Sequence, residues 1–268
     1  MIKLPLAVSF ALAAAAPDPA VERLFQAIGR QDLRAVQSLL EADPGLAAAK
    51  GPASRHLPEG GGSAILTAAL VSTKQGFLPA ARNAVLQALL AKKPTLDVFD
   101  ACVAGQPEAL AVHLARDPKL ARAWHPLGWS VLHLGGFSGN PKVVDLLLAN
   151  GADVNARAKT RFRNTPLQTS LLASQEATVR LLLEHGADPL VRQAHGFTPL
   201  HDAALSGRRD LVDLLLAHGA EINSRGDDGR TAVTEAVRGG HAELAEYLKS
   251  QGGRSAELTA DVTAPPKE

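Results

Sequence analysis

Nine histidines, one cysteine, a glycine triplet and one basic loop are the residues of this 268-residue chain whose types and spacing invite chemistry. No two histidines show the H-E-x-x-H spacing, or a comparable set, that would gather imidazoles and a carboxylate around zinc on one helix face. His185 and His218 each precede a glycine that should end a helix, and a cation there faces the last carbonyls. The single cysteine, Cys102, excludes an intramolecular disulfide and a cysteine-based zinc site. Beside Ala101 it reads as a small helix-packing residue, and a buried free thiol behaves there as a small hydrophobe. Gly60-Gly61-Gly62 lacks the Lys-Ser/Thr of a phosphate loop and, with Pro52 and Pro58 nearby, reads as a flexible connection. Neither a G-x-S-x-G elbow nor a dinucleotide fingerprint occurs. The stretch 157–164 carries Arg157, Lys159, Arg161 and Arg163 around Phe162, a composition that suits a backbone-and-stacking site for nucleic acid. The cluster is short, however, and 28 basic against 27 acidic residues leave a formal net charge of +1, so nucleic acid is not the expected partner. No enzyme, metal or cofactor site is expected.

The elements that carry these residues recur. Thr165-Pro166-Leu167-Gln168, Thr198-Pro199-Leu200-His201 and Thr231 follow one another at a spacing of 33, as do Gly186-Ala187-Asp188 and Gly219-Ala220-Glu221. The preceding copy, Ser130-Val131-Leu132-His133 with Gly151-Ala152-Asp153, lies 35 residues ahead because the loop 157–164 holds two extra residues. Weaker copies start at Val98-Phe99-Asp100-Ala101, at Ser63 and at Leu24-Phe25-Gln26-Ala27. Asp117-Pro118 and Asp43-Pro44 close two of them, and about nine extra residues sit near 72–82. That insertion has only Lys74 and Arg82 as ionisable side chains, which makes it a poor catalytic loop. Seven units result: 20–50, 62–95, 96–126, 127–160, 161–192, 193–225 and 226–253.

Each landmark has a mechanical cause. Thr198 caps a helix by accepting a backbone N–H, and Pro199 fits the first helical position. Ala203 and Ala204 let neighbouring helices approach, with Gly135/Gly136 and Ala101/Cys102 in the same slots. The apolar run Leu211–Leu216 makes a second helix covered from two sides, and Gly219 stops it in a left-handed conformation.

This period and motif resemble the ankyrin-repeat family, most clearly over 128–223 and more weakly elsewhere. The resemblance implies an all-α fold, a solenoid of about seven stacked helix–turn–helix units with hairpin loops. Weaker units occupy 20–126, strong units 127–225, a C-terminal cap 226–253 and a disordered tail 254–268. It also implies that His133 and His201 hydrogen-bond structurally with the Thr side of their motif. Partners of such stacks are held by the hairpins and the exposed side of the first helix, on a concave face. Carried over unit by unit, that face holds Trp129, Phe137, Ser138 and Arg157; then Arg161, Phe162, Asn164, Leu172 and Arg192. His195, Phe197, Leu205 and Arg225 follow, and finally Arg230 and Arg238. Arg157, Arg192 and Arg225 recur at one slot and should form a ladder, which is either an interface for an acidic protein partner or a solvated edge.

Residues 1–16 read as a secretory signal: Lys3, then an uncharged run from Leu4 to Ala16 ending in small residues. The competing reading is an apolar first helix. Export would place the chain in the periplasm or outside the cell, without stable membrane insertion, and a monomer is expected. The function expected is a non-enzymatic protein–protein interaction scaffold. The alternative is an accessory or protective factor for another exported protein: chaperone-like, an inhibitor, or support against oxidative stress.

Overall fold

Short polar residues start the helices of this chain, and they do so by closing hydrogen bonds that an isolated helix leaves open. The computed structural model describes residues 18–51, 62–70, 72–73, 76–77 and 83–256. Asp18 caps α1 (Pro19–Gly29) and Asp32 caps α2 (Leu33–Ala42). Then come α3 (Ala64–Leu70) and α4 (Ala84–Leu90), the second capped by Asn83, and α5 (Val98–Val103) and α6 (Pro107–Arg116), the first capped by Asp97. The four C-terminal pairs are α7 (Val131–Ser138) and α8 (Pro141–Ala149), α9 (Pro166–Leu172) and α10 (Glu176–Glu184), α11 (Pro199–Leu205) and α12 (Arg209–Ala217), and α13 (Ala232–Arg238) and α14 (Ala242–Ser250). The helices therefore succeed one another as pairs that follow the sequence units.

Neighbouring pairs stack helix on like helix. The first helices pack in the order α1, α3, α5, α7, α9, α11, α13, and among the second helices α2 meets α4 while α6, α8, α10 and α12 meet in series. Small residues make the first row possible. Ala101, Cys102, Gly135, Gly136, Ala203 and Ala204 are all buried, and a Cβ on Gly136 would stand only 2.6 Å from the Ser170 hydroxyl of the next helix. Leucines fill the second row: Leu147, Leu182, Leu215 and Leu248 recur at one slot and each is 0% exposed. A single apolar cluster runs from Leu24 to Leu248, so each unit is covered by the next rather than by itself. Gly219, at φ +91°, closes the turn after α12 in the left-handed region that favours glycine.

The insertion in the second unit adds a minimal antiparallel ladder, β1 (Ser72–Thr73) with β2 (Gly76–Phe77), paired Ser72 to Phe77 and Thr73 to Gly76. The expected signal at 1–16 lies outside the described residues. So do Gly60 and Gly61, Lys74 and Arg82, and residues 257–268 of the expected tail. Residues 254–256, also assigned to that tail, are ordered against the last unit. Arg254 donates its N–H to Asn223 Oδ1 (2.8 Å) and accepts from the Thr231 hydroxyl (2.7 Å).

Candidate functional site: the hairpin and first-helix face

The hairpins between units are tied into one strip by backbone hydrogen bonds. Lys159 N–H donates to Gly128 O (2.7 Å), Ala194 N–H to Phe162 O (2.8 Å) and Asp227 N–H to His195 O (2.9 Å). Behind the strip, capping boxes anchor it to the first helices. In α7 the Ser130 hydroxyl lies 2.7 Å from His133 Nδ1, which also accepts the Ser130 N–H, while Nε2 donates to Asn164 O of the next hairpin (3.0 Å). That pattern requires the neutral Nε2–H tautomer. Burial holds His133 at a pKa of about 4, well below the ordinary 6.5. His201 repeats the arrangement with Thr198 and with Arg230 O (3.1 Å), and burial lowers its pKa too. Gln168 and Thr234 occupy the equivalent places in α9 and α13, and the first of these also closes a capping box. The histidines of the motif are thus hinge pins between successive units.

The arginine ladder is present and internally bonded. Arg157 Nη1 donates to Arg192 O (3.1 Å), Arg192 pairs with Asp227 (3.1 Å), and Arg225 reaches Gly229 O (3.5 Å). All three side chains remain exposed. Arg161 and Phe162 are exposed, with the guanidinium 4.7 Å from the ring centroid. Leu172 is exposed, and His195 is exposed with φ +68° at its hairpin tip. Phe197 and Leu205 are partly buried, the former beneath Arg230 at 4.7 Å.

Several residues assigned to the surface from sequence are inside instead. Phe137 is only 5% exposed, because the next helix packs over α7 and Trp129 meets its ring edge-to-face at 5.5 Å. Trp129 is itself half-buried. Ser138 is buried and donates back to Gly135 O (2.7 Å), and Asn164 is buried where its carbonyl receives His133. Arg230 is largely withdrawn: its guanidinium lies 2.6 Å from Asp228 and 2.8 Å from Glu235 Oε1, the second a charge contact outside hydrogen-bond alignment. Arg238 donates to Glu235 Oε2 (2.7 Å) and so serves the same carboxylate.

That carboxylate belongs to a cluster outside the landmarks of the repeat motif. Glu235 on α13 lies one repeat after Asp202 on α11. Glu235 is buried between two guanidiniums, whereas Asp202 meets only neutral amides, Gln193 Nε2 at 3.1 Å and Gln168 Nε2 at 3.5 Å. Desolvation first, then repulsion from Glu235, pushes Asp202 up to about 7 against the lowering effect of the amides. Part of the Asp202 residue reaches solvent, while its carboxyl oxygens accept from those amides. The shared 33-residue register of the two acids was the available signal. Asp100 behaves alike on α5: burial and the nearby Asp97 raise it to about 6, and the Ser63 hydroxyl donates to it. Burial also drives the Cys102 thiol far upward, which leaves it inert as a nucleophile.

Among the described residues no group of three His, Cys, Asp or Glu side chains comes together to hold a metal, and no helix is long and apolar enough to cross a membrane.

Comparison with known proteins agrees with the helix pairs. The family described as ankyrin repeats (3 copies) matches residues 24–193 and again 132–226. An ADP-ribosylation factor GTPase-activating protein, AGD2, from Arabidopsis thaliana is 35% identical over 71 residues, which is 26% of this chain and 9% of that protein. So small a share of the relative carries none of its activity across. The family match covers most of the described units, and it falls on the same capped helix pairs, 33-residue register and histidine pins: the chain belongs to the ankyrin-repeat family.

Proposed function

We propose that this chain is a non-enzymatic scaffold, monomeric and exported to the periplasm or beyond, that holds a protein partner against its hairpin and first-helix face. The observation that carries this reading is the strip itself. Backbone bonds and histidine pins fix successive hairpins in register, and exposed arginines and apolar side chains project from that rigid frame. A preorganised extended surface loses little entropy when a partner lands on it. Guanidiniums repeated along such an edge favour carboxylate-bearing partners.

The test is affinity capture from an exported-protein fraction with the chain lacking residues 1–16 as bait. A saturable partner is expected, and its affinity should fall with added salt. Simultaneous reversal of Arg157, Arg192 and Arg225 to Glu should weaken that partner by at least about tenfold, some 1.4 kcal/mol. Equal binding by the reversed chain would reject this face as the docking surface. N-terminal sequencing of the protein recovered from cell fractions tests export, and sedimentation of the purified chain tests the monomer.

A further inference from the structure

The ladder arginines are partly engaged with the protein itself, Arg157 through the Arg192 carbonyl and Arg192 through Asp227. We propose that the loop 157–163, together with Leu172 of α9, is a docking site for an extended acidic segment of another protein, one that carries a large apolar side chain flanked by carboxylates. The proposal rests on the docking reading above and narrows it to the fifth unit.

Charge is the first argument. In the following hairpins Arg192 is answered by Asp227 and Arg230 by Asp228 and Glu235, while Arg225 reaches only the Gly229 carbonyl. In the loop 157–163 no carboxylate pairs with Arg157, Lys159, Arg161 or Arg163 among the described residues. Arg157 gives its bond to a neutral carbonyl, and Lys159 lies over the Trp124 ring at 4.3 Å. Four cations without a carboxylate partner therefore stand within one seven-residue stretch of a chain whose net charge is only +1. The two-residue lengthening of this loop, with Arg163 at φ +53°, is what makes room for the extra cations.

Apolar exposure is the second argument. Phe162 is 49% and Leu172 45% exposed, both in this unit. At the equivalent slots of the neighbouring units the side chain is buried, as Phe137 is, half-buried, as Leu205 is, or polar, as His195 and Arg238 are. Among the described hairpins of the C-terminal units, this one thus sets cations without a carboxylate partner beside exposed aromatic and aliphatic surface, the combination that anchors interfaces. A protein segment fits better than a nucleic acid strand. Leu172 offers no ring to stack on, and Arg161 already lies against the Phe162 ring, so successive bases would lack the series of platforms that single-strand binding uses.

The experiment selects short random peptides displayed on phage against the intact chain and measures the recovered peptides by titration. Enriched peptides should place Asp or Glu around Phe, Trp or Leu, and their binding should weaken as salt rises. Affinity should fall about tenfold in R161E/R163E and in F162A, and survive in R161K/R163K and in K142E, an exposed cation on the second-helix row. The exposed positions of Arg161 and Arg163 predict an unchanged melting midpoint in the charge reversal, which separates lost binding from lost structure. No enrichment, enrichment without acidic residues, or full affinity for R161E/R163E would overturn the proposal. Tighter binding of oligothymidylate than of any peptide would reassign the site to nucleic acid. A concentration-dependent dimer abolished by R161E/R163E would reassign it to a second copy of the chain. Peptides displaced by Arg225→Glu and not by R161E/R163E would sink this site while leaving the broader docking face standing.

Discussion

His133 and Asp202 are both moved by burial, and the consequences for stability run in opposite directions. Below pH 6.5 the unfolded chain protonates His133's imidazole, while the folded chain resists until about 4. Stability from this group is therefore complete above 6.5 and is lost as pH falls toward 4, by about 3 kcal/mol in all. His133→Gln keeps the cap, since Gln168 fills the same place in α9 and accepts the Thr165 N–H at 3.1 Å. It should flatten the decline in melting midpoint across that acid window; an unchanged decline would mean that the ring is not neutral in the fold. Asp202 has the reverse sign. Its folded pKa of about 7 exceeds the ordinary 3.8, so its contribution is full below 3.8 and is lost as pH rises through 7. Asp202→Asn retains an acceptor for the glutamine amides, and should raise the melting midpoint at pH 8 while changing it little at pH 4. Equal effects at both pH values would show that the carboxyl is ionised throughout.

At the scale of the element, the second helices hold the stack by leucines that two neighbours share. Leu215 is fully buried on α12, which packs against α10 and closes on α11. Leu215→Ala should cost roughly 2–5 kcal/mol through the cavity it leaves. Thermal unfolding measures this, and an unchanged midpoint would contradict the packing described for α12. The helix starts, the leucine row and the small-residue slots were all readable in the sequence, because a cap needs a short oxygen-bearing side chain and a crowded helix crossing needs a small one. The assignments that failed were side chains one position from the surface. Phe137 fills a slot that Leu172 and Arg238 leave exposed yet lies against Trp129, Ser138 bonds back to Gly135, and the Asn164 carbonyl receives His133. Which side chain covers such a position depends on the residue types of its own unit and of the next, as Trp129 against Phe137 and His133 on Asn164 show.

In the whole molecule, units lean on nearest neighbours, and stability should be close to a sum of those contacts. Removing α13 and α14, residues 232–256, strips the cover from α11 yet leaves the hairpin containing Arg230, which pins His201. The shortened chain should melt at a lower temperature with helix content reduced in proportion, and hydrogen exchange should report protection kept in α7 and α8. Collapse of all protection would mean that the stack folds as one indivisible body.

The order of helices and the repeat register were determined by sequence alone, because capping, glycine stops and apolar periodicity are local properties written every 33 residues. So was the recurrence of the arginine slot. Where charge remains unanswered was decided by the tertiary structure. The same arginine type is neutralised at Arg192 and Arg230 and left open at Arg161 and Arg163, since the answering carboxylates arrive from the next unit or from across a hairpin. The raised Asp202 has the same origin: its amides and its repelling partner Glu235 come from three different units, and only stacking brings them within reach.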